Sequence, residues 1–186
     1  MAFLSPSDMA RMLSLFFFLG AALQLRAQVP FDEYSVKAAF LFNFAKFVEW
    51  PPDAFSNAAE PIGICVLGQN PFGSVLEETV RGKVVANRTF VVLQNPDAQH
   101  LSKCHIVFVS ASEGKHFLIL EELKNKRVLT ISETDGVTWG GGVIGLSLKD
   151  GRVRIEIDPA AAERAGLRIS SKLLGLAEIK KQQRIR

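Results

Sequence analysis

The strongest hydrophobic pattern in the chain runs from Tyr34 to Pro52, YSVKAAFLFNFAKFVEWPP. On a helical wheel with the α-helical repeat, about 100° per residue, Val36, Phe40, Leu41, Phe44, Phe47 and Val48 share one broad arc with Tyr34, Ala38 and Ala45. Asp32, Ser35, Asn43, Lys46 and Glu49 fill the opposite arc. An apolar arc of that width belongs to a helix laid on a core. The spacing predicts one long amphipathic helix, stopped at Trp50-Pro51-Pro52. Proline cannot continue a helix, and the residue before it is pushed towards extended geometry. Two residues break the pattern. Lys37 sits in the apolar arc, where its stem can snorkel to water or its ammonium can be buried against a carboxylate or a ligand anion. Phe42 sits in the polar arc, as a contact for a neighbouring loop or as an exposed aromatic anchor for a partner protein. Phe42, Lys46 and Trp50 form the candidate partner-binding set.

From Pro61 onward the pattern shortens. Ile62–Leu67, Thr89–Leu93, His105–Ser110 and Arg127–Ser132 are short, nearly continuous apolar runs, and each reads as a strand. Helical spacing appears between them at Ser74–Val80 and at Phe117, Leu120 and Leu123, with a short helix or loop over Asp97–Lys103. Strands that alternate with helices imply βαβ units, a parallel sheet and right-handed crossovers. Uninterrupted apolar strands fit a sheet covered on both faces. Val143–Leu148 and Arg152–Ile157 flank Asp150-Gly151, a strong hairpin signal. Asp158-Pro159 opens a helix that closes near Gly166, and Ser170 caps a last helix bearing Leu173, Leu174, Leu176 and Ile179. The expected architecture is α/β: a mostly parallel sheet of short βα units with a C-terminal β-hairpin and helices on both faces.

The composition agrees with a globular protein, with 48% hydrophobic and 22% charged residues among 186. A formal charge of +3 is too small and too dispersed to argue for a nucleic-acid partner. Residues 1–27 read as a secretory signal peptide: Arg11, then the apolar run Met12–Leu25, then Ala27 before a cut ahead of Gln28. The run is short for a membrane span. Residues 28–186 then form a single exported domain. In an oxidising compartment its two cysteines, Cys65 and Cys104, read as one disulfide, with two buried free thiols as the alternative. If the sheet is wound so that its first and third strands are neighbours, the pair is geometrically reasonable.

Little in the residue types supports catalysis. The three histidines, His100, His105 and His116, are scattered, and no nucleophile elbow, zinc-protease motif or Cys-x-x-Cys is present. Cys104-His105 does not make a metal site, because a closed zinc site needs four ligands at fixed spacings. Gly68-x-x-x-x-Gly73-Ser74 follows a strand and precedes a helix, as a phosphate loop does, but it lacks the lysine and contains Pro71. It reads mainly as a tight turn. A ligand crevice there would use Gly68, Asn70, Gly73, Ser74 and Lys37. No catalytic residue, cofactor or metal is expected. A regulator or a small-ligand sensor module fits better than an enzyme.

The segments YSVKAAFLFNFAKFVEWPPDAF, PIGICVLGQNPFG, CHIVFVS, GGVIGLSLKDGRVRIEID and AAERAGLRISSKLL resemble the YfiR family of bacterial periplasmic regulators. The likeness spans nearly the whole mature chain, and the Tyr34–Pro52 helix and the Ala165–Leu174 ending are its specific parts. It implies a small α/β protein that restrains the periplasmic domain of an inner-membrane diguanylate cyclase or sensor kinase. An outer-membrane lipoprotein that relieves the restraint, and a homodimer, are further partners it leaves open. It also implies redox sensitivity through disulfides. Members can carry a second cysteine pair; here Cys65 and Cys104 are the whole complement.

Overall fold

The computed structural model describes residues 32–101, 103–134 and 142–179. The signal peptide expected over 1–27 and the basic tail 180–186 lie outside the described residues.

The first element is helix α1 (Glu33–Phe47). Asp32 caps it, its carboxylate accepting from the Tyr34 N–H at 3.2 Å. The helix is shorter than its apolar pattern. The Val48 N–H still bonds the Phe44 carbonyl, but Val48 itself is extended (φ −111°, ψ 132°). Val48–Glu49 forms strand β1, paired antiparallel with β8 (Arg168–Ile169) in a separate two-stranded sheet. The expected stop at Trp50 therefore comes three residues early. The ladder to β8 offers the backbone hydrogen bonds that a last helical turn would have supplied, and the Trp-Pro-Pro sequence already favours extended geometry. A single 3₁₀ turn, Pro52–Ala54, follows.

The main sheet holds β2 (Ile62–Leu67), β3 (Phe90–Gln94), β4 (Ile106–Val109), β5 (Leu129–Ser132), β6 (Ile144–Lys149), β7 (Arg152–Ile157) and β9 (Glu178–Ile179), in the order β3-β2-β4-β5-β6-β7-β9. Strands β2 to β6 are mutually parallel. β6 and β7 form the expected antiparallel hairpin, with Asp150 and Gly151 both at positive φ, 51° and 68°, as a two-residue primed turn demands. Helices α2 (Val75–Val80), α3 (Ala98–Leu101), α4 (His116–Leu123), α5 (Pro159–Arg164) and α6 (Ser171–Leu174) complete the chain. The expected last helix is thus only four residues long. It ends at Gly175, and residues 178–179 instead add in parallel to the open side of β7.

Period-two alternation within β2 divides the core. Ile62, Ile64 and Val66 join Leu41, Phe44, Leu76, Phe108 and Ile131 in one cluster beneath α1 and α2. Cys65 and Leu67 join Val107, Val109, Leu120 and Leu123 in a second cluster on the opposite face, beneath α4. Cys65 and Cys104 are bonded there, Cα to Cα 5.7 Å, and stitch β2 to the entry of β4. The chain leaves β2 towards β3 and leaves β4 the other way towards β5, so the crevice beyond the carboxyl ends of β2 and β4 is the sheet's topological switch point.

Candidate functional site

At the switch point the chain closes on itself. The turn after β2 has Gly68 at φ +86°. Its N–H donates to Asn95 Oδ1 at 2.8 Å, and its carbonyl accepts from Asn95 Nδ2 at 3.0 Å. The Gln69 N–H bonds Ser112 Oγ at 2.8 Å. Asn70 spends its amide on the turn, accepting from the Phe72 N–H at 2.9 Å and donating to the Gly73 carbonyl at 3.1 Å. Phe72 is buried against Phe108 and the edge of Tyr34. Ser74 stands before α2 without a side-chain capping bond.

Lys37 approaches this crevice from α1. The snorkelling expectation fails: Lys37 is 2% exposed, and its ammonium lies 2.7 Å from Glu133 Oε2 and 2.5 Å from Glu33 Oε1. The geometry explains why. Glu33 is one turn before Lys37 on the same helix, and Glu133 leaves the end of β5 directly into the space under α1. Glu133 is held from its other oxygen by the Ala111 N–H at 2.9 Å and Ser110 Oγ at 3.3 Å. Burial alone pulls Lys37 down, but the hydrogen bonds and charges of Glu133 and Glu33 outweigh it and hold the ammonium above its ordinary value. Burial, followed by the charge of Glu133, raises the neighbouring Tyr34 phenol. Lys37 also stands 4.8 Å from the Tyr34 ring centre, which links it to Phe72 and the turn. Gly68, Asn70, Gly73 and Ser74 belong to one turn, and Lys37 is linked to it through Tyr34 and Phe72; Lys37 and Asn70 already have partners within the chain.

Of the candidate partner-binding residues, Lys46 and Trp50 line one groove at the far end of α1, and Phe42 lies beside Lys46 outside that lining. Phe42 is half-buried, its ring edge-on to Phe90 of β3 at 5.7 Å, and Lys46 lies over its other side at 4.4 Å. Its contact is thus with an edge strand, not a loop. Trp50 packs edge-on against Phe55 at 6.5 Å, and its indole Nε1 is buried with no hydrogen-bond partner among the described residues. A groove of about 520 Å³ opens here, walled by Ala45, Lys46, Val48, Trp50, Phe55 and Arg88.

The Pro51–Phe55 segment beside the groove is clamped by three contacts. His105, 3% exposed, donates from Nε2 to the Ala54 carbonyl at 3.1 Å and accepts at Nδ1 from the Gly63 N–H at 3.0 Å. The Phe55 ring stacks on His105 at 4.2 Å, and the Arg88 guanidinium covers its other face at 3.7 Å. Asp53 pairs with Arg127 at 2.5 Å, tying the 3₁₀ turn to the entry of β5. Burial, the largest influence, holds the His105 imidazole below its ordinary value. None of these roles was visible from the scattered histidines. Among the described residues no His, Cys, Asp or Glu cluster could hold a metal ion.

A family model described as YfiR/HmsC-like matches residues 34–178. The chain belongs to the YfiR/HmsC-like family. That family is one of periplasmic regulatory proteins rather than catalysts. No curated protein matches the chain. Among the described residues no helix is long and apolar enough to cross a membrane.

Proposed function

We propose that this YfiR/HmsC-like protein is exported behind a cleaved signal peptide over residues 1–27. In the periplasm it binds the periplasmic domain of an inner-membrane signalling protein, a diguanylate cyclase, and holds its output low. What supports the reading is the groove at the end of α1, lined by Lys46 and Trp50 with Phe42 beside Lys46, where a buried indole N–H has no partner among the described residues. Aromatic and cationic residues beside a pocket are the usual anchors of a protein interface. The restraint is a population shift: the regulator binds the quiet conformation of its partner more tightly than the active one.

Deleting the gene in a host that retains the cyclase tests this reading. Cellular cyclic-di-GMP is expected to rise and to return when the full chain is supplied in trans. An unchanged level, with the cyclase present and active, would overturn it.

A further inference from the structure

The groove at Trp50 carries more information than its shape. Strand β1 pairs with β8 on one side only. In that ladder the Ser170 N–H bonds the Phe47 carbonyl at 2.9 Å. Antiparallel pairing alternates, so the next hydrogen-bonded pair is Glu49 with Arg168, and Val48 pairs with Ile169 without ladder bonds. The alternation turns the Val48 carbonyl and the Trp50 N–H away from β8. Both residues line the groove. The indole Nε1 of Trp50 is itself buried and has no acceptor among the described residues, where a buried indole N–H ordinarily finds one. The walls are largely apolar, and the charged residues that line them are Lys46, Arg88 and one acid, Glu49; Arg88 is already bonded to the Asn57 and Glu60 carbonyls and stacked on Phe55, which leaves Lys46 as the exposed cation. Glu49 in turn faces Arg168 at 3.9 Å. Val84 extends the apolar surface past the rim and is 57% exposed.

We propose that this groove receives an extended, apolar segment of the partner protein that carries a carboxylate. The segment adds its backbone beside β1, turns the indole so that Trp50 Nε1 meets a carbonyl, and sets its acidic side chain against Lys46. Strand addition of this kind takes affinity from main-chain bonds and specificity from the side-chain pockets. The inference rests on the regulatory reading above and names the chemistry of the surface the partner presents.

The test uses the full chain in its own host, with a photo-crosslinking amino acid at Val84 on the rim or, as control, at Leu176, which is 73% exposed and lies after α6. The expected adduct forms from position 84 and not from 176. Its crosslinked peptide is an apolar stretch with an Asp or Glu from a membrane protein's periplasmic part. A synthetic copy of that peptide binds the wild type, and Trp50→Phe, which keeps the ring and removes the donor, weakens binding roughly three- to tenfold. Lys46→Glu weakens it further, and Lys46→Arg does not. An unchanged melting temperature for each variant shows that binding, not folding, is being read.

An adduct from 176 alone, an adduct with a second copy of this chain, silence at 84, or a Trp50→Phe variant that binds like wild type would each overturn the inference. If deletion raises cyclic-di-GMP while position 84 stays silent, the groove assignment falls and the regulatory reading stands. If position 84 captures an acidic segment of a membrane protein unrelated to cyclic-di-GMP, and deletion leaves that nucleotide unchanged, the cyclase reading falls and the groove assignment stands.

Discussion

Lys37 Nζ lies 2.7 Å from Glu133 Oε2, and 96 positions of chain separate the two residues. The pair joins α1 to the end of β5 inside a region from which water is nearly excluded, with side-chain exposures of 2% and 5%. A buried ion pair gives little net stability over apolar residues of equal volume, but breaking it from one side is costly. Lys37→Met leaves Glu133 with the Ala111 N–H, Ser110 and the Tyr34 hydroxyl but no cation, and is expected to lose roughly 3–5 kcal/mol. Lys37→Met combined with Glu133→Leu is expected to recover much of that loss. Urea unfolding of the two variants decides: a single substitution costing less than about 1 kcal/mol, in the range of an exposed pair, would show that the ammonium is solvated.

The Cys65–Cys104 bond closes a loop with a sequence separation of 39. Loop entropy of that size corresponds to about 4 kcal/mol of stability. Both residues are buried, at 0% and 3% exposure, so a reductant must wait for β2 and β4 to open. The folded protein is expected to resist millimolar dithiothreitol and to show an intact mass two hydrogens short. Reduction in urea followed by alkylation should lower the unfolding midpoint. Rapid alkylation of both thiols under native conditions would show that this bond is a surface switch rather than a staple.

Strands β2 to β7 are legible because each declares itself locally, unlike the two-residue strands β1, β8 and β9. The apolar run of Ile62–Leu67 and the turn at Asp150-Gly151 both stand in the structure as the pattern predicts. What the sequence conceals is pairing over distance. Lys37 looks like a snorkelling lysine because its two carboxylates are supplied partly by a residue far along the chain. His105 looks isolated because its partners, the Ala54 carbonyl and Gly63 N–H, are backbone groups that no residue type announces. The helix at Tyr34–Pro52 ends early for the same reason: β8, which captures Val48 and Glu49, arrives more than a hundred residues later. The crevice residues Gly68, Asn70 and Gly73 are close in sequence and do form one turn, but the bonding of Gly68 to Asn95, and of the intervening Gln69 to Ser112, had to be seen.

Gly63 marks a close approach between β2 and the segment that enters β4. A Cβ built on it would overlap the Lys103 carbonyl oxygen and crowd Cys104 Cα. Neither is the movable end of a flexible side chain, so the strands must part. Gly63→Ala is expected to destabilise the protein by roughly 1–3 kcal/mol or more, as overpacking does, and to disturb the His105 bond to the Gly63 N–H. Gly114→Ala, where an added methyl meets nothing within 4 Å, is the control. Equal melting temperatures for the two variants would refute the contact.

His105 sets the acid limit of the clamp beside Trp50. Its Nδ1 accepts from the Gly63 N–H, so a proton there would place two donors face to face. The folded value lies below the ordinary 6.5, because burial and the Arg88 charge outweigh the Ala54 hydrogen bond and Glu60. The unfolded chain therefore binds the proton more readily. The stability due to neutral His105 is complete above pH 6.5 and is lost as pH falls from there through the folded value. Unfolding free energies measured between pH 8 and 5 are expected to decline below 6.5. His105→Gln should start lower and decline less steeply over the same window. The Ala54 carbonyl belongs to the turn that seats Phe55 against Trp50, so the groove is expected to loosen with the clamp, and Trp50 fluorescence should shift along the same titration in the wild type only. Parallel pH profiles for the two proteins would place the acid sensitivity elsewhere and free the clamp from His105.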